Sequence, residues 1–447
     1  MLPTLCLLLS LAAADSQPSW PAFLGQGASA VKTDSLPLSW SPDKNIAWQA
    51  DLPGFGQSSP VIWGDQVFVT AVEGPDKDIC HVLALNLSDG KIQWKHSFDS
   101  SDKVKNSLYV SRAAPTPVID GKHVFAFFES GDVVALTTTG TEQWRKSLSA
   151  EFGKFKNKFG LAASPVMTDE AIVILVDDEG PSYLIALSKA DGKTKWKTDR
   201  TSRTSWSSPS LVDVAGKPHV VCSSAGTVDG YDAATGKLLW TFDEVGGNNK
   251  STPAPFAAGS FLVGASSSRE AKATPGVDPK QSNFAMTIEV VDGKPQPKVL
   301  WRTTEATPTF NSPVVYAGHA YWVNTQGVVF CLDAATGETR YTERLKQSCW
   351  ATPVGVGDRV YFFGKDGITS VLKTGPKFEV LAENQLWDPA KLKADPAKAA
   401  AEETEERRKA AATFSGPTQY GVAAVSGSLF VRTGDKLYCL RNSQPAN

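Results

Sequence analysis

The residue types that most often do chemistry are scattered along this chain of 447 residues. Its five histidines are far apart and show neither an HExxH pattern nor another metal-ligand spacing; they are His81, His96, His123, His219 and His319. No GxSxG nucleophile motif occurs. The acidic run 177–180 (Asp-Asp-Glu-Gly) is typical of a hairpin tip, and it lacks the spacing of an EF-hand calcium loop. The sequence therefore predicts no catalytic residues and no metal site.

A recurring position offers a binding surface instead. Seven Ser/Thr-Pro pairs are spread along the chain, and the residues two places before each Ser or Thr are Gln57, Ala114, Ala162, Trp206, Lys250, Phe310 and Trp350. Tyr420 lies near the equivalent place in a degenerate last copy, and Arg112 lies two residues before Ala114. Aromatic rings beside a cation can stack on a sugar ring, a planar cofactor or a peptide. The alternative is that these rings only fill a core or pack under the N-terminal segment.

These positions belong to a repeat that runs along most of the chain. A turn phrase containing Gly and an aromatic residue, clearest at 235–240 (Thr-Gly-Lys-Leu-Leu-Trp), alternates with the Ser/Thr-Pro pairs. The aromatic residues of its copies are Trp94, Trp144, Trp196, Trp240, Trp301 and Tyr341. Stretches such as 66–71 alternate with a period of two and are rich in β-branched and aromatic residues, which predicts strands. Gly supplies the positive φ of a tight turn, and the Trp can fill the wedge between adjacent sheets.

Each copy predicts a four-stranded antiparallel sheet, and together the copies predict an all-β fold, a β-propeller. Residues 45–440 divide into eight units of about 50 residues, a usual size for a propeller blade. The last unit, 420–440, has material for three strands, and 45–52 with its Trp48 has the pattern of the missing fourth. An N-terminal strand that completes the last sheet closes the ring. We predict eight blades in one domain over 45–447, with seven blades as the alternative.

The copy at 231–240 resembles the tryptophan-docking repeat of the pyrroloquinoline-quinone (PQQ)-like β-propellers, and 332–338 echoes it. This family includes quinoprotein dehydrogenases and the outer-membrane assembly lipoprotein BamB. The segments 20–25 and 36–40 are similar to the leader of many secreted bacterial members that have no assigned activity. The resemblance covers about residues 20–440 and implies the fold. It implies no particular activity, because one fold carries many functions.

The dehydrogenases of this family impose a stricter requirement. In them, a disulfide between adjacent cysteines covers PQQ, a Trp stacks on it, and Ca²⁺ ligands and an Asp base complete the site. No two cysteines are adjacent in this chain; they are Cys6, Cys80, Cys222, Cys331, Cys349 and Cys439. No base and no calcium ligands map onto matching positions. We therefore predict no cofactor, with PQQ and Ca²⁺ expected only if the chain is a dehydrogenase.

The N-terminus and composition predict a secreted or periplasmic protein. Residues 1–14 have the apolar run and small residues of a signal peptide, with a buried N-terminal segment as the alternative. No later stretch has the roughly 18 apolar residues of a transmembrane helix. The net charge of -2 gives no global attraction for nucleic acid. We expect 15–44 to be a leader that packs on the propeller, and a closed ring without edges to be a monomer.

Two stretches interrupt the repeat. Residues 266–284 are polar and contain proline, which predicts a loop inserted in the fifth unit. Residues 389–412 are rich in alanine and charge, with Glu403/Arg407 and Glu405/Lys409 at i,i+4 spacing, and predict an exposed helix. That helix is either a solvated excursion or a surface that binds a partner.

The predicted function is a non-enzymatic binding or scaffold protein that takes a protein or cell-envelope ligand at one mouth of the propeller channel. The predicted mouth residues are Gln57, Arg112, Trp206, Lys250, Phe310, Trp350 and Tyr420. A PQQ-dependent oxidoreductase acting on an alcohol or sugar is the alternative. A hydrolase or lyase on the same ring is a third hypothesis, and it requires carboxylates clustered at the mouth.

Overall fold

The computed structural model describes residues 17–31, 33, 35–107, 110–266, 277–392, 405, 408, 416–425 and 427–443. Nearly all regular structure in these residues is strand, arranged in antiparallel sheets of consecutive strands. Three helical elements are short: α1 (Leu148–Phe152) and the 3-10 turns Pro279–Gln281 and Pro389–Lys391. The prediction of an all-β fold is therefore confirmed.

The strands follow the repeat. The first three are β1 (Ser19–Trp20), β2 (Ala30–Val31) and β3 (Ile46–Gly56). Units 1 and 2 contain β4 (Val61–Trp63), β5 (Gln66–Glu73), β6 (Ile79–Asn86), β7 (Ile92–Asp99), β8 (Val118–Ile119), β9 (His123–Phe127), β10 (Asp132–Thr137) and β11 (Glu142–Ser147). Units 3 and 4 contain β12 (Val166–Met167), β13 (Ala171–Val176), β14 (Tyr183–Ser188), β15 (Thr194–Asp199), β16 (Ser210–Val214), β17 (Lys217–Ser224), β18 (Thr227–Asp232) and β19 (Leu238–Phe242).

The second half of the chain continues the same pattern. Units 5 and 6 contain β20 (Ala254–Ala257), β21 (Ser260–Val263), β22 (Asn283–Val291), β23 (Lys294–Thr303), β24 (Val314–Tyr316), β25 (His319–Val323), β26 (Val328–Asp333) and β27 (Thr339–Arg344). Units 7 and 8 contain β28 (Val354–Val356), β29 (Arg359–Phe363), β30 (Ile368–Lys373), β31 (Val380–Gln385), β32 (Gly421–Val425), β33 (Ser428–Arg432) and β34 (Gly434–Arg441), and β3 completes unit 8.

The pairing forms one nine-stranded, five four-stranded and one five-stranded sheet. The nine-stranded sheet contains units 1 and 8, which are joined through one residue pair, Phe55 with Val72, and it also contains β1. The five-stranded sheet is unit 7 with β2 added. Without that one pair and the two short leader strands, the sheets divide into eight groups of four strands. We interpret these groups as eight blades.

The last sheet is completed by a strand from the N-terminal part of the chain. β3 pairs antiparallel with β34, and Trp48 lies opposite Cys439 at the outer edge of that sheet. The fully buried Arg432 lies where this pairing ends, and its Nε and Nη2 donate to the Gly434 carbonyl at 3.2 and 3.0 Å. A Cβ on Gly56 would lie 2.4 Å from Arg432 Nη2, so only glycine fits at that crossing.

Neighbouring units are joined by contacts between an indole and a turn glycine. Trp48 donates from Nε1 to the Leu87 carbonyl at 3.1 Å, and Trp94, Trp144 and Trp301 make the equivalent bonds to the next unit at 2.8–3.0 Å. Each indole also packs on the turn glycine of the next unit, so closely that a Cβ on that glycine would lie within 3.0 Å of the ring. The pairs are Trp48 with Gly90, Trp94 with Gly140, Trp144 with Gly192, Trp196 with Gly236 and Trp301 with Gly337.

Two of the predicted aromatic residues make different contacts. Trp240 donates to His219 Nδ1 of its own unit at 3.2 Å, and Tyr341 contacts Phe378 edge-to-face with ring centroids 5.6 Å apart. The turn glycine that follows Trp240 is Gly293, and a Cβ there would have no atom within 4 Å. The contact between an aromatic ring and the turn glycine of the next unit is therefore missing at Trp240 in unit 4 and at Tyr341 in unit 6.

The buried histidines predict how stability depends on pH. His219 is 4% exposed, and burial lowers the pKa of His219, and of the equally buried His81, below the ordinary value of 6.5. Below pH 6.5 these imidazoles take up protons in the unfolded chain more readily than in the folded one. Their contribution to the free energy of unfolding is therefore fully present above pH 6.5 and is lost as pH falls below it. We expect the Tm to fall between about pH 7.5 and 5.5, and His219→Gln to reduce that fall in thermal unfolding. A variant with the same pH dependence as the parent would contradict this assignment.

The leader crosses the ring at one end of the channel. β1 pairs antiparallel with β4 of unit 1, and β2 pairs parallel with β28 of unit 7. Ser29 Oγ donates to the Pro353 carbonyl at 2.7 Å, and Trp40 stacks on Tyr361 with centroids 6.2 Å apart. The leader therefore contacts units 1 and 7.

The predicted insertions lie largely outside the described residues, as does the predicted signal peptide at 1–14. In the fifth unit, strand β22 begins at Asn283, so the insertion predicted at 266–284 ends earlier than expected. Of the helix predicted at 389–412, the turn Pro389–Lys391 is described, together with Leu392 and with Glu405 and Arg408, both of which are helical. Within the residues that the structure describes, no helix is long and apolar enough to span a membrane.

Candidate functional site

The Ser/Thr-Pro pairs bring their hydroxyl groups into one belt around the channel. The first strands of neighbouring units contact each other, so the residues just before them lie side by side. Each hydroxyl accepts a hydrogen bond from the backbone N–H of the equivalent residue in the preceding unit, at 2.9–3.2 Å, through Thr116, Ser164, Ser208, Thr252, Ser312 and Thr352. The first donor in this series is the N–H of Ser59. Unit 8 has Gly421 in place of the hydroxyl residue, and a Cβ on Gly421 would lie 2.5 Å from Ser59 Cα.

A cavity of about 500 Å³ opens on the N-terminal side of the belt. Six predicted mouth residues line it: Gln57, Trp206, Lys250, Phe310, Trp350 and Tyr420. Ala114 and Ala162, which the same alignment identified as small, line it as well. The volume is in the range of small-ligand sites. The structure thus brings residues up to 363 positions apart to one surface, because each precedes the first strand of its unit.

The leader lies at the other end of this cavity. Residues 21–27 line a second cavity, together with 165–167 and 209–211 at the first strands of units 3 and 4. Phe23 lines both cavities, as do Ser164, Ser208 and Thr252 of the belt, so Phe23 lies where the two cavities meet. We call the first cavity the cup, with aromatic side chains at its mouth and Phe23 at its inner end. The sequence predicted that the leader packs on the propeller, but nothing in it indicated that Phe23 enters the channel.

The aromatic side chains of the mouth pack in pairs. Phe310, which is 41% exposed, and Trp350 have ring centroids 5.0 Å apart. Trp206 lies 5.9 Å from Phe159, and its Nε1 donates to the Gly160 carbonyl at 3.0 Å. These contacts fix the ring orientations and leave ring surface facing the cavity, which suits stacking on a flat ligand. Phe159 lies outside the repeat phrases, so the alignment could not identify it.

The charge at the mouth is positive. Lys250 Nζ lies 4.9 Å from the centre of the Phe310 ring, Lys365 Nζ 5.4 Å from Trp350, and Lys158 Nζ 5.5 Å from Phe159. Burial lowers the pKa of Lys365. Among the described residues that line the cavity, none is Asp or Glu. The third sequence hypothesis, a hydrolase or lyase, therefore has no carboxylate pair at this position.

Arg112 differs from the prediction. Its side chain is 6% exposed, and its guanidinium carbon lies 3.5 Å from the centre of the Phe55 ring. Its backbone pairs with Gln57, through Gln57 N–H to the Arg112 carbonyl at 3.0 Å and Arg112 N–H to Gln57 Oε1 at 2.9 Å. Arg112 is thus absent from the residues that line the cavity, because stacking on Phe55 turns it between units 1 and 8.

Comparison with known proteins identifies the family. The family model described as "Outer membrane protein assembly factor BamB" matches residues 13–155, 137–271 and 287–400. The chain belongs to this family. The resemblance to PQQ-like propellers predicted from the repeat is thereby confirmed.

Two curated relatives are similar over part of the chain. A polyvinylalcohol dehydrogenase from a Pseudomonas species is 21% identical over 242 residues, which are 44% of this chain and 36% of that protein. The assembly factor BamB of Shewanella oneidensis is 25% identical over 255 residues, 56% of this chain and 60% of that protein. The matched regions therefore span less than two thirds of the length of either relative.

Solved structures show the same fold. BamB from Moraxella catarrhalis aligns with a TM-score of 0.57 at 12% identity, covering 88% of this chain and 98% of that one. Quinohemoprotein alcohol dehydrogenase from Comamonas testosteroni aligns with a TM-score of 0.62 at 12% identity, covering 98% and 82%. At this identity the likeness concerns the fold, and the predicted β-propeller is confirmed.

The cavity residues do not fit the PQQ and Ca²⁺ site of the dehydrogenases. Ca²⁺ needs several oxygen ligands, usually with carboxylates among them, and the described lining residues include no carboxylate. Within the described ranges, no group of three or more His, Cys, Asp or Glu could hold a metal ion. The five described cysteines are buried and free, so no disulfide is available to cover a quinone; they are Cys80, Cys222, Cys331, Cys349 and Cys439.

Proposed function

We propose that this protein is an extracytoplasmic, non-enzymatic binding or scaffold propeller that takes a protein or cell-envelope ligand in the cup. The observation that supports this is the composition of the cup. Its six predicted mouth residues come from unit 1 and from units 4 to 8. They supply four aromatic rings, one amide and one cation, and none of them is a carboxylate that could act as a base. Such a surface can bind and orient a ligand, but it offers no general base or metal ligand.

The proposed location and assembly state follow from the same features. The predicted signal peptide and a relative that is an outer membrane protein assembly factor both support a site outside the cytoplasm. The pairing of β3 with β34 leaves the ring without an open edge between its first and last units. We therefore propose a monomer that binds its partner through the cup and binds no nucleic acid.

The double variant Trp206→Ala/Trp350→Ala tests this proposal. Trp206 and Trp350 belong to two different ring pairs of the mouth, and both offer ring surface for stacking. We expect capture of an envelope component to fall by more than about tenfold, which corresponds to about 1.4 kcal/mol. Capture is measured with immobilised protein and a solubilised envelope fraction from the source cells. Trp206→Phe/Trp350→Phe keeps the rings and should retain most of the capture. Equal capture by the parent and the alanine variant, with unchanged Tm, would place the binding surface elsewhere.

A PQQ-dependent oxidoreductase is the second candidate, because one relative is a polyvinylalcohol dehydrogenase. The same purified protein is incubated with PQQ and Ca²⁺ as a further arm of that experiment. We expect neither a new absorbance band nor a rise in Tm, since binding to the folded state would raise stability. A saturable rise in Tm that is lost in Trp206→Ala/Trp350→Ala would favour the dehydrogenase.

A further inference from the structure

The belt of hydroxyl groups is interrupted at one point of the ring. Its six hydrogen bonds start at the N–H of Ser59 and end at the hydroxyl of Thr352. Unit 8 has Gly421 instead of a hydroxyl residue, and among the described residues no N–H or other partner bonds to Ser59 Oγ. Ser59 is 4% exposed and lines the cup. The interruption therefore leaves one buried hydroxyl at the cup with its donor and its acceptor positions unused.

Gln57 and Tyr420 place two more polar groups beside the interruption. Gln57 lies two residues before Ser59, and its Oε1 accepts the N–H of Arg112 at 2.9 Å, which orients the amide. Within the described part of the chain, Gln57 Nε2 and the Tyr420 hydroxyl have no hydrogen-bond partner. The Tyr420 ring is held edge-to-face against Phe55, with centroids 6.0 Å apart. Both residues line the cup, so three unpartnered polar groups border it at the junction of units 1 and 8.

The chemistry of these three groups selects the kind of ligand. An amide N–H2 supplies two donors, and a serine or tyrosine hydroxyl supplies one donor and accepts as well. All three are neutral, and the described lining residues include no carboxylate to pair with a cationic ligand. A sugar hydroxyl likewise donates one hydrogen bond and accepts others, so neighbouring hydroxyls of one sugar ring can satisfy all three groups. A neutral polyhydroxylated ligand therefore matches this part of the cup.

The rest of the mouth presents flat ring surface to the same ligand. In a ring of eight, unit 4, which supplies Trp206, lies opposite unit 8, which supplies Tyr420. Trp206 is held against Phe159, and Trp350 against Phe310, with ring centroids 5.9 and 5.0 Å apart. A pyranose has an apolar C–H face that packs on an aromatic ring and hydroxyl groups around its edge. A sugar in the cup can therefore stack on the mouth rings while its edge reaches the junction of units 1 and 8.

We propose that the cup binds one ring of a neutral saccharide, and that Gln57, Ser59 and Tyr420 are the polar groups that recognise its hydroxyls. This inference rests on the proposed function, because a saccharide is a cell-envelope ligand that occupies the same cup. It adds the class of ligand and the part of the mouth that makes the polar contacts. A carboxylate-bearing sugar gains no charged partner at this junction, because all three groups are neutral.

The ligand class is tested on an array of immobilised glycans. The array carries neutral glycans that end in a hexose, an N-acetylhexosamine or a deoxyhexose, and acidic glycans that end in a uronate, a sialate or a sulfated sugar. We expect the full chain to bind at least one neutral glycan, and the tightest of these is then titrated free in solution by isothermal calorimetry. Binding to none of the neutral glycans, or to acidic glycans alone, would overturn the proposal.

Ser59→Ala and Ser208→Ala are a matched pair of variants. Both serines line the cup and precede a proline, but Ser208 Oγ accepts the N–H of Ser164 at 2.9 Å, whereas Ser59 Oγ has no partner among the described residues. We expect Ser59→Ala to keep the Tm of the parent and to weaken glycan binding by about fivefold or more, because only the ligand loses a hydrogen bond. Ser208→Ala should lower the Tm and change binding by less than about twofold. Equal losses of binding in the two variants would overturn the polar contact at the junction.

Tyr420→Phe tests the same contact from unit 8. Phenylalanine keeps the ring against Phe55 and removes only the hydroxyl, so the Tm should stay at that of the parent. We expect the double variant Ser59→Ala/Tyr420→Phe to bind the glycan more than about tenfold more weakly than the parent, since two hydrogen bonds are lost. Parent-like binding by this double variant would overturn the proposal.

Two outcomes separate this inference from the proposed function. If no neutral glycan binds while Trp206→Ala/Trp350→Ala still abolishes capture of an envelope component, the saccharide is wrong and the proposed function remains. If no neutral glycan binds and the double alanine variant captures the envelope component as well as the parent does, both proposals fail.

Discussion

Gly90→Ala is expected to lower the free energy of unfolding by about 3 kcal/mol, whereas Gly293→Ala should cost about 1 kcal/mol. Both glycines occupy the turn before the fourth strand of their unit, with φ of 72° and 74°. A Cβ on Gly90 would lie 2.4 Å from the Trp48 ring, and a Cβ on Gly293 would meet no atom within 4 Å. The left-handed φ is common to both variants, so the difference measures the contact with the indole.

Denaturant unfolding followed by tryptophan fluorescence measures this difference. Trp48 is on β3, the strand that completes unit 8, and Gly90 is in unit 1, so the contact joins the last sheet of the ring to the first. We expect the midpoint for Gly90→Ala to lie well below that for Gly293→Ala. If the two midpoints shift equally, the indole contact contributes nothing beyond the backbone conformation of the turn.

Arg200→Met is expected to destabilise the protein by about 3–5 kcal/mol. The guanidinium is 1% exposed and lies between units 3 and 4, where its Nε bonds to Asp177 Oδ1 at 3.0 Å and its Nη1 to Asp229 Oδ2 at 3.3 Å. Its Nη2 also donates to Ser224 Oγ at 2.8 Å. Methionine keeps the volume but leaves two carboxylates without their shared cation in a site from which water is excluded.

The control for this variant is Lys195→Met. Lys195 lies on β15, the strand that ends just before Arg200, and pairs with Glu170, but the two side chains are 36% and 77% exposed. An ion pair of this exposure contributes at most about 0.5–1 kcal/mol. The free energies of unfolding of both variants are compared at the same pH and salt. A loss for Arg200→Met no larger than that for Lys195→Met would mean that the buried network does not hold units 3 and 4 together.

The sequence predicted those parts of the fold that repeat. Five of the seven predicted mouth residues line one cavity because a residue two places before Ser/Thr-Pro has the same position in every unit, and Tyr420 joins them from the degenerate last copy. Trp48 pairs across from Cys439 because its strand carries the same pattern as the outer strands of the other units. Because the same pattern recurs in every unit, a weak sequence pattern in one copy is supported by the other copies.

Features outside the repeat could not be predicted in this way. Arg112 lies in the irregular stretch between units 1 and 2, and its stacking on Phe55 depends on a ring from β3. Phe23 lines the cup and Lys365 lies over the Trp350 ring, and neither position belongs to the repeat phrases. Asp177 does lie between β13 and β14, where a hairpin was predicted, but no local pattern indicated that its partner would be Arg200.

The leader that forms the floor of the cup also determines when the cup comes into being. Ala30 pairs with Gly355, and Ser29 bonds to Pro353 across 324 positions of the chain. During synthesis, Phe23 therefore emerges long before the strand that fixes its segment, and loop closure over that separation is slow. In a partly synthesised chain, the leader segment with Phe23 is not yet fixed and the last mouth residues are missing. The complete cup is thus present only in the finished ring.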